Sequence, residues 1–139
     1  MKKYYLFEIR HEFYKVYKKN SYALFKTLEN LHKLKKEDLS YGISIFNQIC
    51  LRVNKKDICS GFNEYIRINN DKFLINEHQE ESVVTVKNSC ILYTTNVTLP
   101  PSMAIIYPKY KYIFVVDFKN KEYFWLEEHI GLKNKYMVI

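Results

Sequence analysis

Glycine and proline are both scarce in this chain of 139 residues, with three of each. So few glycines cannot form the glycine-rich turns that cradle phosphates in P-loop and Rossmann nucleotide-binding proteins. Neither residue gathers into a linker, and the sequence has no internal repeat or low-complexity tail. A chain of this length, 47% hydrophobic and 17% aromatic, is expected to form a single domain, residues 1–139, with a substantial core.

Cysteine and histidine are also sparse and show no metal-binding spacing. The three cysteines are Cys50, Cys59 and Cys90. The four histidines are His11, His32, His78 and His129. An odd number of cysteines without a Cys-x-x-Cys pair favours reduced, buried thiols over disulfides or zinc. We expect no metal and no other cofactor.

Catalytic motifs are missing as well. A cysteine hydrolase could be drawn from Cys59 or Cys90 with a histidine and Asp117, but no motif supports that grouping. His11 and Glu12 are adjacent residues, so they would point to different faces of a helix. The sequence therefore favours a binding protein over an enzyme.

Long apolar runs are absent too. No stretch approaches the roughly 18 residues that cross a membrane. Charged residues at positions 8 and 10–12 interrupt the region where a signal peptide needs an apolar run. We expect a cytoplasmic monomer with no membrane partner.

The chain carries an excess of positive charge, with 22 Lys and Arg residues against 15 Asp and Glu residues and a net charge of +7. Clustered cations would favour nucleic acid. However, the lysines are spread along the chain, and the arginines that usually read bases and clamp phosphates are limited to Arg10, Arg52 and Arg67. We interpret the charge mainly as background that is unrelated to function. The alternative is a small nucleic-acid-binding protein that uses Lys and stacked Tyr residues.

The first third of the chain predicts one strand and two helices. Tyr4 to Ile9 is rich in aromatic and branched residues and predicts a strand closed by Arg10. His11 to Lys18 predicts a short helix with Phe13, Val16 and Tyr17 on one side. Ser21 is expected to cap the next helix. The apolar residues of that helix recur at helical spacing and are assigned to the core: Leu24, Phe25, Leu28, Leu31 and Leu34.

A third helix is predicted from about Asp38 or Ser40 to Val53. Its buried face is expected to contain Leu39, Ile43, Phe46, Cys50 and Val53. The opposite face carries Tyr41, Ile45, Gln48 and Arg52. This second face is more apolar than solvent requires, so either another element or a partner covers it.

The second half predicts mostly strands. Lys55 to Glu64 gives a poor signal, consistent with a short helix. Tyr65 to Asn76 reads as one hairpin, and Ser82 to Thr94 reads as another. After Pro100-Pro101 a short helix is expected in Ser102 to Tyr110, interrupted near Pro108. The element order predicts an α/β fold of α+β-like order, a mixed, mostly antiparallel sheet with about three to four helices packed on it.

The last hairpin lies in YIFVVDFKNKEYFWLEE, residues 112–128. From Ile113 to Phe118, the side chains that would point to either face of a strand are mostly apolar. This pattern predicts a strand buried on both faces. Residues 119–122 form a polar turn, in which Asn120 would tolerate a positive φ. Tyr123 to Leu126 returns as the partner strand.

Four residues of this hairpin are assigned structural roles: Asp117, Tyr123, Trp125 and Leu126. Trp125 is expected to be buried in the core, since its burial alone removes about 150–250 Å² from water. Asp117 is anomalous in an apolar strand and is expected to accept hydrogen bonds from backbone N–H groups of the turn.

Both ends of the chain carry a family resemblance. The stretches YYLFEIRHEFYKVY, residues 4–17, and VVDFKNKEYFWL, residues 115–126, resemble the bacterial sporulation inhibitor of replication family, SirA. The matching positions are Tyr4, Tyr5, Glu12, Phe13, Tyr17, Asp117, Phe118, Tyr123, Trp125 and Leu126. Chain length and the spacing to both ends agree as well, and the middle matches weakly around Asn47-Gln48-Ile49.

The resemblance implies a non-enzymatic inhibitor that binds the N-terminal interaction domain of the replication initiator DnaA and prevents initiator assembly at the origin. Carried over by position, the contact residues are Phe13, Tyr17 and Gln48. Tyr41 and Ile45 join them as residues of the same helix face as Gln48. The alternative for Phe13 and Tyr17 is that they simply pack their helix on the sheet.

Overall fold

The structure, a computed structural model, describes residues 1–34, 36–107 and 109–129. Its strands are β1 (Lys2–Glu8), β2 (Ile66–Asn69), β3 (Lys72–Glu77), β4 (Glu80–Val86), β5 (Ile91–Thr95), β6 (Ile113–Asp117) and β7 (Glu122–Trp125). They form one sheet in the order β2-β3-β4-β5-β1-β6-β7. Each neighbouring pair is antiparallel.

The helices pack on this sheet. The α-helices are α1 (His11–Tyr17), α2 (Ser21–His32), α3 (Leu39–Ile49) and α4 (Lys55–Gly61). Two 3-10 helices span Lys36–Asp38 and Pro101–Ile105, and residues 126–129 are helical. The predicted α/β class, the single domain and the hairpins are confirmed, with all strand pairs antiparallel. Pro108 lies outside the described residues.

The sheet separates two apolar cores. On one face α1, α2 and α3 pack over Phe7, Phe114, Val116 and Trp125. On the other face α4 and the 3-10 helix Pro101–Ile105 pack over the second core. That core contains strand residues such as Leu6, Phe73, Val84, Tyr93 and Val115. None of the helices in the described ranges has both the length and the apolar composition to cross a membrane.

The C-terminal hairpin has the predicted burial. Every residue of β6 is buried, and Trp125 is 2% exposed. The Asp117 carboxylate accepts a hydrogen bond from the Asn120 backbone N–H at 3.2 Å and another from the Asn120 side-chain amide at 2.7 Å. The expected role of Asp117 in the turn is therefore confirmed. The positive φ falls on Lys121, at 54°, rather than on Asn120.

The expected cap of α2 is wrong by one residue. Asn20 is the N-cap, and its side chain accepts a hydrogen bond from the Ala23 backbone N–H at 3.3 Å. Ser21 instead accepts a hydrogen bond from the indole N–H of Trp125 at 2.9 Å. Its hydroxyl also donates to the Tyr17 carbonyl at 3.4 Å. Ser21 thus connects the end of α1 to the core.

The expected buried face of α3 is confirmed at Cys50, which is 1% exposed, but it is wrong at the start of the helix. The helix ends at Ile49 instead of near Val53, and its buried residues are Gly42 and Ile49. Leu39 and Ile43, which were expected to be buried, are 53% and 50% exposed. A Cβ atom at position 42 would lie 2.2 Å from Leu34 Cδ1. Glycine therefore permits the close approach that turns the Gly42 face of α3 toward α2. Hydrophobic periodicity is counted from apolar side chains, so it cannot identify a glycine as a contact residue.

Candidate protein-interaction surface

Helix α1 is anchored to the sheet by Tyr14, the buried residue of this helix. Its ring lies 4.3 Å from that of Tyr112 and 4.9 Å from that of Trp125, measured between centroids. The Tyr14 hydroxyl donates a hydrogen bond to the Glu127 carboxylate. Desolvation first, and then this hydrogen bond, raises the pKa of Tyr14 above its usual value. A two-turn helix has room for about one such anchor, so its other side chains stay near the surface.

Phe13 and Tyr17 lie beside this anchor. Their rings are stacked, with 6.2 Å between centroids and an interplanar angle of 20°. Both side chains are half-buried and pack against the edge of the core. Val16, predicted on the same side, is 66% exposed. The pair is therefore both a packing element and an accessible aromatic surface, which combines the two alternatives set out above.

Arg10 connects α1 to the C-terminal end of α3. The Arg10 backbone N–H donates to the Ile49 carbonyl at 2.8 Å, and its Nε–H donates to the Asn47 carbonyl at 2.9 Å. Ile9 and Cys50 form an isolated antiparallel bridge next to these bonds. The start of α1 and the end of α3 are consequently held together, which places the helix of Phe13 beside the helix of Gln48.

The second face of α3 is open. Tyr41 is 69% exposed, Gln48 is exposed, and Ile45 is half-buried at the edge of the core. These residues are spaced i, i+4 and i+7, which places them on one helix face over about 10 Å of axis. Within the described residues no element packs over Tyr41 or Gln48. We call Phe13, Tyr17, Tyr41, Ile45 and Gln48 the α1–α3 surface.

Three of the residues assigned structural roles lie in or beside the two cores. Trp125 and Leu126 are buried at 2% and 0%, on the two opposite faces of the sheet. Tyr123 is half-buried and stacks on Phe25, with 4.9 Å between ring centroids. These three residues join the C-terminal hairpin to both cores.

A catalytic grouping of Asp117 with a histidine and a cysteine is not formed among the described residues. Asp117 and His32 line one cavity, but no cysteine lines it. The three cysteines are free and buried, and desolvation raises the pKa of each thiol. Raised thiol pKa values suppress the nucleophilic thiolate. Across residues 1–34, 36–107 and 109–129, no three His, Cys, Asp or Glu side chains are placed to hold a metal.

Sequence reasoning missed two residues that build the α1–α3 surface. Tyr14 occupies the buried position of α1, although Phe13 and Tyr17 looked equally suited to it. The sequence carries no signal that distinguishes Tyr14 from these two residues. The role of Arg10 depends on the carbonyls of Asn47 and Ile49, and the sequence carries no sign of that contact.

Comparison with known proteins adds no relative. No family model matches the chain, and no curated protein matches it significantly. The features that bear on function are therefore the residues of the α1–α3 surface and the resemblance at the two chain ends.

Proposed function

We propose that this protein is a non-enzymatic inhibitor of replication initiation that uses its α1–α3 surface to bind the N-terminal interaction domain of DnaA. Binding would occupy a surface that the initiator needs for assembly at the origin. The proposed setting is the cytoplasm of a sporulating bacterium. The protein acts as a monomer that needs no cofactor.

The observation that carries this proposal is the stacked Phe13–Tyr17 pair on an anchored helix. Aromatic residues are enriched among those that dominate binding energies in protein interfaces. Stacking and the Tyr14 anchor hold the two rings in place before binding, so little conformational entropy is lost on association. These two rings are also the residues that the resemblance assigns to the partner contact.

The second face of α3 extends the same surface. Tyr41 supplies a large exposed ring, and Gln48 supplies a side chain that can donate and accept hydrogen bonds. Ile45 lies between them and packs against the core edge. An apolar centre with polar groups at its edge is the usual composition of a protein interface.

The test is calorimetric titration of the full chain with the N-terminal domain of the host's DnaA. We expect saturable one-to-one binding that Phe13→Ala and Tyr17→Ala each weaken by about tenfold or more. Tyr22→Ala is the matched control, because Tyr22 is 58% exposed on α2, outside the α1–α3 surface. Absence of binding by folded protein, or equal weakening by Tyr22→Ala, would contradict the proposal.

Salt separates this function from the alternative of a basic nucleic-acid-binding protein. Binding to phosphates weakens steeply and linearly with the logarithm of salt concentration, because counterions are released. Binding through aromatic residues should change little over the same range. The titration is therefore run at low and moderate salt, with a single-stranded oligonucleotide in parallel.

A further inference from the structure

A separate cavity of about 480 Å³ opens at the other end of β1. It lies where the start of β1, the β6–β7 turn and the C-terminal end of α2 meet. Its volume falls within the range of about 300–1,000 Å³ that is usual for small-molecule sites. The length of β1, roughly 3.3 Å per residue, separates it from the α1–α3 surface.

One wall of this cavity is aromatic. The imidazole of His32 is stacked on Phe118, with 4.3 Å between ring centroids and an interplanar angle of 7°. Tyr5 packs against both rings, at 5.1 Å from Phe118 and 5.3 Å from His32. His32 nevertheless remains exposed, so part of its ring is available to a ligand. The wall is rigid because each ring contacts the other two.

His32 is also suited to stacking by its charge state. Desolvation first, and then the neighbouring Lys33 and Lys87, lower the pKa of His32 below its usual value. The neutral form of the imidazole is therefore favoured. A neutral, planar ring is a stacking partner for another planar ring.

The rest of the cavity is positively charged. Lys2, Lys3 and Lys119 line it, and Lys3 and Lys119 are exposed. Neither Lys3 nor Lys119 forms a salt bridge with any residue that the structure describes. The one carboxylate among the lining residues is Asp117, whose two oxygens accept hydrogen bonds from Asn120. The lysine charges thus remain available to an anion.

We propose that this cavity binds a small phosphorylated ligand with a planar ring, of which a nucleoside monophosphate is the simplest example. The planar ring stacks on His32 within the aromatic wall, and the phosphate lies between Lys3 and Lys119. Neither part of the site resembles a glycine-rich phosphate loop, so the sequence search for nucleotide motifs could not detect it. This site is independent of the proposed binding to DnaA.

The test is calorimetric titration of the full chain with AMP, with inorganic phosphate and with adenosine, at low salt. We expect AMP to bind about tenfold or more tightly than either part alone, because both halves of the site contribute. His32→Ala should weaken AMP binding about fivefold or more through lost stacking. The double variant Lys3→Gln/Lys119→Gln should reduce AMP binding to the level of adenosine.

A matched charge control is Lys56→Gln/Lys72→Gln, which removes two exposed lysines elsewhere on the protein. It should leave AMP binding within about twofold, because neither Lys56 nor Lys72 lines the cavity. Equal weakening by this control, or AMP binding no tighter than phosphate, would overturn the proposal. Binding of a single-stranded oligonucleotide without any binding of AMP would also overturn the proposal. Melting temperatures of all variants establish that each is folded.

Discussion

Helices α2 and α3 carry apolar residues at the same helical spacing, yet they have opposite environments. Leu24, Phe25 and Leu28 of α2 are 0%, 2% and 2% exposed. Leu39 and Ile43 of α3 are 53% and 50% exposed, and Tyr41 on its other side is 69% exposed. An apolar stripe therefore identifies a helix without revealing whether that helix stabilises the fold or presents a surface.

The difference arises from what each helix contacts. Helix α2 lies over the sheet and packs on the rings of Phe118 and Tyr123 through Phe25. Helix α3 contacts α2 through Gly42 and is connected to α1 through Arg10. Glycine contributes little buried area, so the start of α3 is held by a close backbone approach. Its C-terminal end is held by hydrogen bonds, by the buried Ile49 and by Phe46, whose ring packs on that of Phe7. The apolar side chains of Leu39 and Ile43, at the start of the helix, remain exposed.

The largest contrast is expected from one substitution made in both helices. Leu24→Ala should lower the free energy of unfolding by about 2–5 kcal/mol, because it leaves a cavity in a closed core. Leu39→Ala should lower it by about 1 kcal/mol or less, since half of that side chain is already in water. Denaturant unfolding of both variants measures the two values. Equal losses would show that α3 is as much a core helix as α2.

The junction between α1 and α3 is expected to have a smaller effect. Arg10→Ala removes the Nε–H donor to the Asn47 carbonyl and should cost about 0.5–1.5 kcal/mol. Arg52→Ala is the control, because Arg52 is exposed just beyond the end of α3. Denaturant midpoints of the two variants give the comparison. Identical midpoints would mean that the Arg10 contact does not hold α3 in place.

The contact of α3 with α2 should tolerate an added methyl group. Gly42→Ala brings a Cβ against Leu34 Cδ1, but Leu34 is half-buried and this atom is the free end of its side chain. The alanine also gains about 0.8–1 kcal/mol of helix propensity. The change in unfolding free energy should therefore stay within about 1 kcal/mol of zero. A loss of several kcal/mol would show that the two helices cannot adjust, contrary to the contrast drawn here.

The smallest effect is expected from pH at the end of α2. The pKa of His32 is lower in the folded protein than its usual value of 6.5, so the unfolded chain binds the proton more readily. Stability should therefore decrease as the pH falls through about 6.5 and level off below the folded pKa. His32→Asn should remove this part of the pH dependence. Unfolding midpoints between pH 5 and 8 provide the measurement, and an unchanged slope in the variant would contradict the assignment.

The strands were predictable because alternation and turn residues are local signals. Apart from Asp117, the residues from Ile113 to Phe118 are apolar on both sides of the predicted strand, and β6 is indeed buried on both faces. Asn69, Asn70 and Asp71 mark the turn between β2 and β3. Trp125 was assigned to the core from its size alone, which is confirmed.

The orientation of α3 and the basic cavity could not be predicted, because both depend on contacts distant in sequence. Gly42 lies against Leu31 of α2 and against Leu34, which follows α2. The cavity joins Lys3, His32 and Lys119, which belong to three different elements. The sequence predicts the residues of the α1–α3 surface. The Arg10 contacts that connect its two helices are visible only in the structure.

The central claim is that α1 and the open face of α3 form one partner-binding surface. The most direct measurement is an NMR titration of the isotope-labelled chain with the N-terminal domain of DnaA. The largest shifts are expected at the Ile45 methyl groups, the Gln48 side-chain amide and the Phe13 ring, with little change at Ile58 on the opposite face of the sheet. Shifts centred on α4 or on the exposed edge of β2, with the α1–α3 residues unchanged, would contradict the claim.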